Sequence, residues 1–98
     1  MENRVTVGAR IAGRIRRDFP EPEVAALVVD LLEGWANAGP QREVDRVQAA
    51  IVLSAAGDVD QVEALVGLAH TDYRDALVST GFAHADWRAR MEAAFRAK

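Results

Sequence analysis

The sequence predicts an all-α fold, a single small domain of five to six short helices packed as a bundle or an orthogonal array. Three observations carry that expectation. Nineteen of the 98 residues are alanine, with leucine and valine supplying most of the other apolar positions, a composition that favours helix over strand. Apolar residues recur every three to four positions in nearly every segment. Glycine, proline and asparagine interrupt these stripes at short intervals, so connections of about two to five residues join antiparallel neighbours. A chain of this length buries roughly 60–65% of its unfolded surface in one core. Residues 1–98 are therefore read as one domain, with no room for a second.

Residues 1–19 read as a basic amphipathic leading segment. Val7, Ile11, Ile15 and Phe19 recur every four residues, which aligns them on one face of a helix from about Val5 to Asp18. Pro20 closes it. Pro22 suits the first turn of a second helix, where Glu21 and Glu23 complement the positive N-terminus. Its core stripe is Val24, Leu27, Val28, Leu31 and Trp35. Val29 and Leu32 widen that stripe, which makes this helix the expected centre of the domain. Asn37-Ala38-Gly39-Pro40 ends it.

Pro40 at a first-turn position, followed by Val44, Val47, Ile51 and Ala55, predicts a third helix stopping near Gly57. Asp58 with Gln61 three residues later is a capping-box pattern that opens a fourth helix, with Val59, Val62, Leu65, Val66 and Ala69 as its stripe and an end near His70. Thr71 or Asp72 caps a fifth helix through Ser79, with Tyr73, Ala76 and Leu77 turned inward and Gly81 as its stop. The sixth starts near His84 or Ala85. Trp87, Met91, Ala94 and Phe95 form its buried face, and Arg88, Glu92 and Arg96 an i, i+4 ladder in water.

Charge is the most informative pattern. Five of the twelve basic residues (Arg4, Arg10, Arg14, Arg16 and Arg17) fall in the first seventeen positions against one acid, Glu2, giving +4 there and −7 over the remainder of a chain whose net charge is −3. The absence of cysteine excludes disulfides, thiol catalysis and sulfur-based zinc sites. No apolar run approaches the ~18 residues of a membrane span, and the start lacks the layout of a secretory signal, so the expected location is cytoplasmic.

The basic segment has three readings. Arg10, Arg14 and Arg17 along one helix edge would track a phosphate backbone with steep salt dependence. They would also suit anionic lipid, provided Ile11, Ile15 and Phe19 insert. In the simplest reading the apolar face docks on the domain and the arginines pair with its acids or stay solvated. The fourth and fifth helices have helix-turn-helix lengths, yet Asp72 and Asp75 would bring carboxylates to phosphates. His70-Thr71-Asp72 and His84-Ala85-Asp86 pair imidazole with carboxylate, but residues two apart on a helix diverge by about 200°, and capping is the simpler use. Gly8 to Gly13 lacks the Lys-Ser/Thr pair and the preceding strand of a phosphate loop. Ser54 and Ser79 have no nucleophile-elbow glycines. Trp35 and Trp87 lie on apolar faces, where core packing with a partner for the indole N–H is expected. No catalytic residue, metal ligand or cofactor is predicted.

The segment Arg74-Asp75-Ala76-Leu77-Val78-Ser79-Thr80-Gly81-Phe82-Ala83-His84-Ala85-Asp86-Trp87 resembles the C-terminal part of small uncharacterised helical proteins of bacteria that share an Arg-Asp-x-Leu-Val-x-x-Gly-x-Ala-x-x-Asp-Trp pattern. The resemblance covers about 14 residues, implies a helix, a glycine stop and a capped helix, and brings no activity with it.

These readings converge on a non-catalytic interaction module that meets a protein partner or itself. The expected form is a symmetric dimer using Ile11, Ile15 or Phe19 with Met91 or Phe95, since leftover apolar faces commonly become interfaces. The alternative is a nucleic-acid binder working through Arg10, Arg14, Arg16 and Arg17.

Overall fold

The structure, a computed structural model, describes residues 4–97. Its six helices are α1 (Ala9–Asp18), α2 (Pro22–Ala36), α3 (Val44–Ala55), α4 (Val59–Thr71), α5 (Tyr73–Thr80) and α6 (Trp87–Arg96). The all-α single domain therefore stands, with a radius of gyration of 12.5 Å against about 13 Å for one domain of 100 residues.

The centre is α3, not the expected α2. Seven of its twelve residues are buried, on almost every side: Val47, Gln48, Ala49, Ala50, Ile51, Val52 and Ala55. It packs against α1, α4, α5 and α6. Its alanines keep it thin enough for helices to approach from several directions, whereas the broad apolar stripe of α2 is only partly covered. Leu27, assigned to the core stripe by its spacing, is 44% exposed.

Around α3 the chain runs α1, α2, α4 and α5 as successive packed neighbours, with α6 beside α1. The helices α2 and α4 run in the same direction. Near their starts, Val24 shares a small cleft with Gly57; near their ends, the indole N–H of buried Trp35 donates to the Ala69 carbonyl at 3.0 Å. Gly57 has φ +90°, and a Cβ there would stand 3.0 Å from the Asp18 carbonyl oxygen. That close approach requires glycine.

Three boundaries differ from the sequence reading. Helix α1 begins at Ala9 rather than near Val5, because the preceding residues are tied to α2 as extended chain. Asn37 accepts from the Val5 N–H at 2.9 Å and donates to the Val5 carbonyl at 2.8 Å, and Glu33 accepts from the Val7 N–H at 3.1 Å. Residues 1–3 of the leading segment lie outside the described residues. Pro40 does not open α3, which starts four residues later after Glu43 in a left-handed conformation (φ 53°). Helix α6 starts at Trp87, and Asp86 makes no side-chain cap there. By contrast Asp58 caps α4 as expected, accepting from the N–H groups of Asp60 and Gln61. Asp72 caps α5 through the Arg74 N–H, and Gly81 ends that helix at φ 82°.

The predicted dimer surface is corrected by burial. Ile11, Ile15, Phe19 and Met91 are each 5% exposed or less and belong to the chain's own core. The fifth residue, Phe95, packs half-buried against that core beneath the Arg10 guanidinium, 4.2 Å from its ring centroid. An apolar face this completely covered offers nothing to a partner, and the lipid-insertion reading fails for the same reason.

Candidate functional site

Folding sorts the charges into two arcs. On one side lie α1, with four arginines and Asp18, and α6, with Arg88, Arg90, Arg96 and Glu92. On the other lie α2, with Glu23, Asp30 and Glu33, and α4, with Asp60 and Glu63, neither of which contains an arginine or lysine.

The basic arc is knitted together by its own arginines. Arg10, Arg14 and Arg17 share one edge of α1, as their spacing predicted, and that edge faces α6. Arg10 donates to Glu92 at 2.6 Å, Arg14 to the Ala94 carbonyl at 2.9 Å and Arg17 to the Ala97 carbonyl at 2.8 Å. Arg14 also pairs with Asp18 at 2.9 Å, with both side chains less than 15% exposed. These arginine donors add to the hydrogen bonding of the last carbonyls of α6, where the Ala97 N–H also reaches Ala94 at 3.3 Å, and they complement the negative end of its dipole. Arg16 stands two residues, or about 200°, around the helix from Arg14. It is exposed and makes no ion pair among the described residues. Thus the structure brings three of the four candidate nucleic-acid contacts together and separates the fourth. Glu92 pairs closely with Arg10 and stands 3.8 Å from Arg96, so the ladder expected within α6 is mostly redirected to α1.

By its spacing Arg46 belongs to the exposed face of α3 with Arg42, Glu43 and Asp45, yet its side chain is only 13% exposed. Projecting from the first turn of α3, it donates to the Phe82 carbonyl at 3.1 and 2.7 Å and to Glu43 at 2.9 Å. Its guanidinium also lies 4.4 Å from the Trp87 ring centroid, and that of Arg88 lies 4.5 Å from the same ring. Trp87 is half-buried between α6 and this clamp rather than in the core, while Trp35 is fully buried as expected.

The acidic arc is different. Glu33 is committed inside the chain through the Val7 N–H and, at 3.8 Å, Arg4. Glu23, Asp30, Asp60 and Glu63 are exposed and make no ion pair among the described residues. On α2 the exposed positions Glu23, Ala26, Leu27, Asp30 and Gly34 follow helical spacing, so they form one outward stripe with a leucine between two carboxylates and two small residues beside it.

Other candidates resolve more simply. Around the α4–α5 turn, Arg74 donates to both Asp72 oxygens at 3.0 and 2.8 Å. The Arg74 side-chain bond holds the Asp72 carboxyl below its ordinary range, the Arg74 backbone N–H adds to the effect, and the pairing raises Arg74 in turn. An arginine so occupied, beside Asp75, is poorly placed to read a base edge. Gly8 to Gly13 belongs to the N-cap and body of α1 rather than to a loop. Among the described residues no three His, Cys, Asp or Glu side chains gather as a metal site, and no helix is long and apolar enough to cross a membrane. Comparison with protein-family models, curated proteins and solved structures gives no match to this chain.

Proposed function

We propose that the protein is a non-catalytic helical interaction module that pairs with a second copy of itself through the outward stripe of α2. The observation that carries this reading is Leu27, 44% exposed between Glu23 and Asp30, on a helix without a single cation. A leucine that the core leaves uncovered, ringed by carboxylates with no partner of their own, asks for an apolar contact with basic neighbours. The chain supplies such neighbours beside the same stripe. Helices α1 and α2 pack together across a connection of three residues, and Arg16 stands exposed on α1, about 200° around the helix from Arg14. A two-fold axis across this hairpin places the acidic stripe of each copy against Arg16 of the other, a self-complementary contact that closes at two. Ala26 and Gly34 let the helices approach closely.

Sedimentation over a wide micromolar range tests it at low and physiological salt. The expected result is a monomer–dimer equilibrium that weakens as salt rises. Asp30→Arg and Arg16→Glu should each sediment as monomers, because each sets like charges face to face. Mixing the two variants restores a one-to-one dimer, since the swapped charges complement one another. Wild-type protein that stays monomeric at the highest concentration overturns the proposal, as does a mixture that fails to pair while both variants remain folded.

A further inference from the structure

Helices α1 and α6 border an open surface groove of about 380 Å³ lined by Arg10, Gly13, Arg14, Arg17, Phe95 and Arg96, with Glu92 also on its lining. We propose that this groove binds a phosphate group, carried by a small phosphate monoester or by free phosphate. Four arginines line it from two helices. Two carboxylates answer them, Glu92 at 2.6 Å from Arg10 and Asp18 at 2.9 Å from Arg14, so the site keeps a net positive charge. Those internal bonds leave donors to spare. A guanidinium carries five N–H groups; Arg14 uses its Nε and Nη1 positions, and Arg10 and Arg17 each use Nη1 alone.

The arrangement is also held in place before a ligand arrives. Arg10 rests on the Phe95 ring at 4.2 Å, and Arg14 and Arg17 are pinned to α6 carbonyls. Positions fixed in this way reduce the side-chain entropy that binding would otherwise cost. Planar forks approaching from several directions suit a tetrahedral oxyanion with three or four acceptor oxygens, whereas a carboxylate occupies a single fork. Gly13 contributes no side chain to the wall, and the space its Cβ would fill meets nothing nearer than the Arg16 tip at 3.8 Å. The volume lies at the lower end of small-molecule clefts, about 300 Å³ and above. The groove lies on the α6 side of α1, and the proposed dimer contact uses α2 and Arg16, so either proposal stands without the other.

The test is an NMR titration following arginine Nε–Hε signals, with inorganic phosphate and methyl phosphate added in turn at constant ionic strength. The expected result is a saturable shift of Arg10, Arg14, Arg17 and Arg96 together with the Gly13 amide, while Arg88 and Arg90 on α6 stay still. The tighter of the two ligands identifies the natural form of the phosphate. Arg17→Gln combined with Arg96→Gln should weaken binding by about tenfold or more, the loss expected of one or two charge-assisted bonds. Glu92→Gln should tighten it by several-fold, because the competing carboxylate is gone while a hydrogen-bond acceptor for Arg10 remains. That gain is an outcome that misfolding cannot imitate. Shifts that never saturate, shifts equal at Arg88 and Arg90, or a Glu92→Gln variant that binds no tighter than wild type overturn the proposal.

Discussion

The α2–α4 pair and the α1–α6 pair are joined in opposite ways. Between α2 and α4 the contact is apolar: Val28, Leu32, Trp35, Val62, Leu65, Val66 and Ala69 are all buried, and the Trp35 indole bond closes the far end. Their carboxylates take no part, and Glu33 turns instead to the Val7 N–H and Arg4. On α6 the only buried side chain is Met91, with Trp87 and Phe95 half-buried against the core, and α6 is further held by Arg10, Arg14 and Arg17 from α1 and by the Arg46–Trp87 stack from α3. Charge is thus structural glue on the basic side and unspent surface on the acidic side. The proposed dimer contact draws on charges that folding leaves unpaired, Glu23 and Asp30 on α2 and Arg16 on α1, whereas the proposed phosphate groove draws on the donors that Arg10, Arg14 and Arg17 keep beyond their internal bonds.

The largest expected effect breaks the apolar side. Trp35→Ala removes a fully buried indole and leaves the Ala69 carbonyl without its donor, which costs about 3–5 kcal/mol. Small domains have ~5–15 kcal/mol in all, so chemical denaturation should show a large drop in midpoint, and hydrogen exchange should accelerate throughout α2 and α4. Retention of wild-type stability would mean that this seam is not where the fold is held.

Met91→Ala is next, at about 2–5 kcal/mol for a buried methionine, but its consequence should be local. With its one buried anchor gone, α6 should exchange freely while α2, α4 and α3 keep their protection, an opening below the global unfolding free energy. Uniform loss across all six helices would show that α6 is part of the cooperative core after all.

Arg14→Gln sharpens the contrast at smaller cost, about 1–2 kcal/mol for a charge-assisted bond to a carbonyl and a partly buried pair. Salt should act similarly on the exposed members, since the Arg10–Glu92 pair is more than half exposed on both sides and is screened. Raising salt should therefore speed exchange in α6 and leave α2 and α4 unchanged. Equal response in both pairs would erase the distinction.

The acidic side has its own charge dependence, at the α4–α5 turn. Asp72 has its folded pKa lowered from 3.8, first by the Arg74 side chain and then by the Arg74 N–H. A depressed carboxyl contributes stability in full above its unfolded pKa and loses it as pH falls through the folded value. Exchange in the first turn of α5 should therefore be constant at neutral pH and accelerate only below about pH 4. In Asp72→Asn that acid-dependent step should disappear, although an amide still caps the helix.

How much of this was legible follows from where each partner sits in the chain. The Asp58 and Asp72 caps and the Gly81 stop depend on neighbours two to four residues away, so spacing located Asp58 and Gly81 and narrowed the third to Thr71 or Asp72, of which the structure selects Asp72. Trp35 needed only an apolar face. The start of α1 was missed because Val5 and Val7 are claimed by Asn37 and Glu33, 32 and 26 residues away. The same distance in sequence hid the use of Arg10, Arg14 and Arg17, whose α6 partners lie 80 to 82 residues on. The central position of α3 was hidden for another reason. Its alanines give a narrow hydrophobic stripe by sequence, yet their small size is what lets other helices surround it. Leu27 reads as core in any periodicity argument, and only the packed fold shows that it is 44% exposed.

The smallest effect comes from the helix starts, where the two sides differ again. Helices α4 and α5 open on aspartates whose side chains accept backbone N–H groups, whereas α1 opens on Gly8 with no side-chain cap and no acid in its first turn. Gly8 has φ −67° and ψ 159°, the extended geometry that a capping serine adopts. A Cβ built there meets nothing within 4 Å. Gly8→Ser should therefore stabilise the protein by a few tenths of a kcal/mol, or roughly 1–3 °C in Tm for a domain of this size. The gain should appear as slower exchange in the first turn of α1 and nowhere else. A Tm that falls would mean that serine takes up some other local bond at this position, and that α1 is held by its arginines and its buried isoleucines rather than by its N-terminus.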